Sequence, residues 1–130
     1  MVPPPDVELF EFPTSTMWFD ENGILCTVSK KVRAQTVDEV KATMQEFTKI
    51  TGGKKVCMLS DSTESTPVNK EMRDYIAEIL PEIALAVAII SRSAVGKMVA
   101  NLFFSIKKQP YPVKMFNGEG EAKEWLKQYL

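Results

Sequence analysis

Two short polar stretches carry the residue types best suited to chemistry: Asp61-Ser62-Thr63-Glu64-Ser65-Thr66 and Ser91-Arg92-Ser93. Each follows an apolar run that reads as a strand. Hydroxyls, a carboxylate and a guanidinium placed there suit a small anion or a phosphorylated hydroxyl, because a following helix N-terminus offers free amides and a favourable dipole. Ligands in open α/β sheets gather beyond the carboxyl ends of parallel strands, so the two loops converge if their strands are parallel neighbours. The candidate anion-binding or phosphoacceptor residues are therefore Asp61, Ser62, Thr63, Ser65, Thr66, Arg92 and Ser93. A structural use stands beside the functional one: Ser93 capping a helix, Asp61 closing a turn and Arg92 pairing locally.

Other chemistries lack their residues. The chain has no histidine, which removes His-based acid–base work, Ser-His and Cys-His dyads and His-containing zinc sites. Cys26 and Cys57 each sit within apolar, strand-forming residues and read as buried free thiols rather than a disulfide or metal pair. No glycine-rich phosphate loop occurs, and the one glycine pair, Gly52-Gly53, stands where a helix should stop. No catalytic residue, metal or cofactor is implied, and a protein that is not an enzyme is expected.

Those residues must be held by one domain. At 130 residues, 45% hydrophobic and 25% charged, the chain has the length and composition for a single core. A formal net charge of −1 argues against a general nucleic-acid binder. No run reaches the roughly 18 apolar residues of a membrane span. The opening Met1-Val2-Pro3-Pro4-Pro5-Asp6 lacks the features of a signal peptide, so a cytoplasmic location is expected, with disorder in residues 1–6. Charge is segregated. Residues 1–29 hold Asp6, Glu8, Glu11, Asp20 and Glu21 without a Lys or Arg, whereas residues 84–118 hold Arg92, Lys97, Lys107, Lys108 and Lys114 without an acid. That pattern suits steering between subunits or toward an acidic partner, or simply a solvated face on each element.

The element pattern opens with a short edge strand around Val7 to Phe12, broken by Pro13. A hairpin follows: Thr16 to Phe19, a turn at Asp20-Glu21-Asn22-Gly23, and Ile24 to Ser29. Thr36 with Glu39 matches a capping box, Val37, Val40, Met44 and Phe47 form a helical stripe, and Gly52-Gly53 end it. Lys55 to Ser60 reads as a central strand. Thr66-Pro67 predicts the start of a helix carrying Val68, Met72, Tyr75, Ile76, Ile79 and Leu80, stopped by Pro81. Ala84 to Ile90 reads as a strand buried on both faces. A helix with Val95, Met98, Val99, Leu102, Phe103 and Ile106, a strand from Tyr111 to Phe116, and a terminal helix turning Ala122, Trp125, Leu126 and Tyr129 inward complete the chain. The order predicts an α/β fold: a mixed, mostly parallel sheet with an N-terminal hairpin, covered by about four helices. Alanines at 84, 86 and 88 give the central strand one small face, which suits close helix packing, with the helix containing Ala94, Gly96 and Ala100 as one partner, or room for an apolar ligand.

This pattern resembles the SpoIIAA-like superfamily, which includes the STAS anti-sigma-factor antagonists and, more distantly, the CRAL-TRIO lipid carriers. Met17-Trp18-Phe19-Asp20-Glu21-Asn22-Gly23-Ile24-Leu25 looks like its opening hairpin and Ala86-Val87-Ala88-Ile89-Ile90-Ser91 like its late central strand. Pro112-Val113-Lys114-Met115-Phe116 and Glu121-Ala122-Lys123-Glu124-Trp125-Leu126 look like its closing strand and helix. The match spans roughly residues 15–130 and is nearest the uncharacterised STAS-like branch known mainly from bacterial genomes. STAS regulators carry a phosphorylatable serine in an Asp-Ser-Ser/Thr-Gly motif; the corresponding stretch here, Asp61 to Pro67, has hydroxyls without that motif. The resemblance implies a non-catalytic regulatory or protein-interaction module. The alternative is a carrier for a small apolar or amphipathic, lipid-like ligand. An unknown protein partner, a homodimer through exposed edge strands and a small ligand are the partners to expect; nucleic acid and a membrane span are not.

Overall fold

A computed structural model describes residues 1–33, 35–64, 69–94, 97–98 and 109–130. Its framework is one six-stranded sheet: β1 (Phe10–Glu11), β2 (Ser15–Phe19), β3 (Leu25–Ser29), β4 (Val56–Asp61), β5 (Ala84–Ile90) and β6 (Val113–Phe116), in that spatial order. β1, β2 and β3 pair antiparallel, while β3 to β6 are parallel. The described α-helices are α1 (Val37–Thr51), α2 (Lys70–Ile83) and α3 (Glu119–Leu126), the last followed by a 3₁₀ turn, Lys127–Tyr129.

This order divides the two faces. Right-handed crossovers that always step the same way across a sheet put their helices on one side. α1 and α2 therefore share a face, where Phe47 packs with Phe12, Met17 and Leu25, and Leu80 packs near Ala84, Val87 and Ile89. α3 covers the other, where Ala122 and Leu126 meet Trp18, Cys26, Cys57, Leu59, Ala86, Ala88 and Ile90. The small face of β5 is thus closed by the terminal helix. It is also shorter than the alternation implies. The register shifts between Val56 and Cys57, whose partners are Ala84 and Ala86. Leu85 is displaced outward, 40% exposed, and Ala84 joins the α1–α2 side. An extra residue in one strand reverses which face the following side chains take.

Local signals explain most boundaries. Thr36 and Glu39 form the full capping box, and Gly52 ends α1 in the left-handed region at φ 66°. Arg33 grips the same Glu39 through two bonds, at 3.2 and 3.0 Å. The hairpin forms, but not through a two-residue Asn-Gly turn. Among the described residues only glycines have positive φ, and in this turn Gly23 alone does; Asp20 Oδ1 accepts from the amides of Asn22 and Ile24, both at 2.9 Å. The side chain of Asp20 organises a wider loop.

Two expectations need correcting. α2 starts at Lys70 with Asn69 as its cap, accepting from the Met72 amide at 2.9 Å; Thr66-Pro67 lies outside the described residues. Pro81 does not stop α2, which continues to Ile83. Proline at this place lacks one amide, but the Ala84 amide still reaches Leu80 O, so the last turn closes. Within the opening segment, Met1 packs on the α3-side core and its ammonium is 2.8 Å from Asp61 Oδ2. The expected third helix falls almost wholly outside the described residues; Met98, a described member of its stripe, is 50% exposed. Among the described residues no helix is long and apolar enough to cross a membrane.

Candidate functional site

β4 and β5 are parallel neighbours, with Asp61 beside Ile90, so the two polar loops do meet. Their groups bond mainly to each other. The Ser62 amide donates to Ile90 O at 2.9 Å. Thr63 Oγ1 donates to Asp61 Oδ1 at 2.6 Å and accepts from the Arg92 amide at 3.0 Å. Ser93 Oγ donates to Thr63 O at 2.7 Å, and Ser91 Oγ to Ser93 O at 3.2 Å. Burial works to raise the Asp61 pKa, but the bonds from the Met1 ammonium and Thr63 outweigh it, and the carboxyl is held below its ordinary value. The Arg92 side chain is exposed. Ser65 and Thr66 lie outside the described residues.

Ser62 points elsewhere. Alternation sends Cys57, Leu59 and Asp61 toward α3 and Met58, Ser60 and Ser62 toward α1 and α2. There the sheet and the two helices line a cavity of about 330 Å³ that is partly open to solvent. Its helix side is apolar: Val40, Met44 and Phe47 from α1, and Met72, Ile76 and Ile79 from α2. The sheet side changes character along the strands. Met58 and Val87 line it toward the strand beginnings; Thr27, Ser29, Ser60 and Ser62 line it toward the strand ends. Thr27 and Ser60 are register partners on adjacent strands. Their hydroxyls have no hydrogen-bond partner among the described residues.

Two further side chains complete the polar end. Lys30 lines it, but its ammonium is 2.7 Å from Glu11 Oε2 and donates to Phe12 O at 2.8 Å. Gln35 Nε2 donates to Glu39 Oε2 at 3.4 Å, while its Oε1 is buried with no partner. A buried carbonyl without a donor is costly, by about 1–3 kcal/mol, and marks a place where a ligand or water gains by donating.

The residues singled out by spacing thus separate into a self-bonded loop pair and one member, Ser62, of a cavity that spacing alone did not reveal. One signal was readable. The helix-facing series Leu25, Thr27, Ser29 and Met58, Ser60, Ser62 turn from apolar to hydroxylic, which is unusual on a sheet face covered by helices. The small-residue face of β5, the other place for an apolar ligand, is filled: Ala86, Ala88 and Ala122 are completely buried. Cys26 and Cys57 are free and buried, and burial pushes Cys26 up to about 12. Among the described residues no three Cys, Asp or Glu side chains gather as metal ligands.

The comparisons agree with this architecture. A family model described as a domain of unknown function, DUF7793, matches residues 17–130. No curated protein matches the chain. The crystal structure of an uncharacterised protein of the DUF3478 family, with a SpoIIAA-like fold, from Shewanella loihica PV-4, is similar over 92% of this chain and 91% of that one. Sequence identity is 19% and the TM-score 0.54. The fold is SpoIIAA-like, as the resemblance implied.

Proposed function

The chain belongs to the DUF7793 family of unknown function, and we propose from its own geometry that it is a non-catalytic binding module. It takes a small amphipathic ligand between its sheet and its first two helices. The observation that carries this reading is the 330 Å³ cavity with an apolar helix side and a hydroxyl-lined end. The pocket is partly open to solvent, so water fills it when no ligand does, and methionine, isoleucine and phenylalanine offer that water few partners. The volume falls within the usual range of small-molecule sites. Met17, Met44, Met58 and Met72 line it, and methionine adapts to ligands of uneven shape.

Native mass spectrometry of gently purified protein tests this directly. The expected result is a species heavier than the 14.6 kDa chain, reduced to that mass on denaturation. A bare chain that also fails to take up the neutral dye N-phenyl-1-naphthylamine would contradict it.

A second reading, the regulatory module, has one observation in its favour: the exposed Arg92 beside the hydroxyls of Thr63 and Ser93. There a phosphate, free or on a partner, would dock. Titration with inorganic phosphate, followed by amide shifts at residues 61–64 and 91–93, separates the two readings; silence in both loops leaves only the cavity.

A further inference from the structure

Resting on the cavity reading, we propose that the site selects an uncharged amphiphile whose head both donates and accepts hydrogen bonds, such as an alcohol or a primary amide. The same chain ending in a carboxylate, phosphate or ammonium is rejected.

The polar end dictates this. Gln35 Oε1 is a pure acceptor, and the 3.4 Å bond from Nε2 to Glu39 fixes which way the amide faces. Thr27 and Ser60 present hydroxyls side by side, each able to give or take a proton. Ser29 Oγ already accepts from the Glu64 amide at 3.0 Å, so its proton remains to donate. Ser62 Oγ makes only a long, 3.4 Å bond to Ile90 O. A hydroxyl or amide head can satisfy such a mixture in full.

A charged head cannot. The one cationic side chain in the described lining, Lys30, is already neutralised by Glu11. An anion would enter without a free counter-charge and would face the Gln35 carbonyl. An ammonium would find acceptors, but no carboxylate lines the described cavity. Burying either ion without a compensating charge costs far more than the hydrogen bonds return.

Displacement of N-phenyl-1-naphthylamine by decanol, decanamide, decanoate and decylammonium at about pH 8, where both ions are charged, tests the proposal. Decanol and decanamide should displace the dye at concentrations at least about tenfold below the ions. An apolar slot would also disfavour ions, so the double variant Thr27→Val, Ser60→Ala supplies the sharper arm. It should weaken decanol and decanamide by about tenfold, the scale of one or two net hydrogen bonds, and change the affinity for the dye, measured directly on the same variant, by clearly less. Melting of the ligand-free variant should be unchanged or higher, because the hydroxyls it removes have no hydrogen-bond partner among the described residues. A lower melting point, decanoate binding as well as decanol, or a variant that still binds decanol normally would each overturn the head-group assignment. Dye binding with that outcome leaves the cavity reading standing. Failure of the dye and all four amphiphiles to bind overturns the cavity reading itself.

Discussion

Asp61 and the two cysteines stand on the α3 side of the sheet, away from the cavity, and their surroundings fix their charge states. The Asp61 carboxyl is held below its ordinary value of 3.8 by the Met1 ammonium and Thr63, against the opposing effect of burial. A depressed folded-state pKa stabilises the protein above the unfolded value and loses that contribution as the pH falls through the folded one. Asp61→Asn should therefore be less stable than the native chain at about pH 7, and the gap should close from about pH 4 downward; chemical denaturation at a series of pH values measures it. Cys26 and Cys57 behave oppositely, since burial pushes both thiols up, Cys26 to about 12. Only the thiolate is a good nucleophile. Iodoacetamide at about pH 8 should leave both unlabelled in the folded protein and label both in guanidinium; rapid labelling of folded protein would show that the α3 side opens. Both cysteines were legible as buried thiols from their apolar neighbours. The bond network around Asp61 was not, because it joins residues 1, 61, 63 and 92, which no local pattern relates.

At the scale of elements, α1 is the best specified. Its box, its stripe and its glycine stop are all local signals, and all are realised. Thr36→Ala removes an acceptor from the Glu39 amide at 3.2 Å and should cost about 1 kcal/mol, lowering the melting temperature by about 4 °C. No change would mean that Arg33 and Gln35 hold Glu39 and the first turn without it. The strands of the parallel half, β4 and β5, were readable from their apolar runs, and β5 falls on the expected residues, Ala84–Ile90. The bulge opposite Val56 was not readable, because a register shift is a property of two strands together. For the same reason the alanines at 84, 86 and 88 do not form one face. Pro81 misled because a proline near the end of a helix removes a single bond, which one more turn can tolerate.

For the molecule as a whole, the order of elements was enough to foresee the architecture, since alternating strands and helices after a hairpin leave few alternatives. The site was less legible. Sequence spacing favoured the strand-end loops, where Asp61, Thr63, Arg92 and Ser93 now stand among their own hydrogen bonds. The cavity depends on how far α1 and α2 stand from the sheet, a distance that no single segment encodes. Its lining does supply a reporter. Of the seven methionines, Met17, Met44, Met58 and Met72 line the cavity, whereas Met1, Met98 and Met115 do not. The most direct measurement is a carbon–proton methyl spectrum of methyl-¹³C-methionine protein titrated with decanol. The four cavity signals should shift together and saturate while the other three hold still. Shifts confined to Met1, Met98 or Met115, or no saturable shift at all, would contradict binding in the cavity.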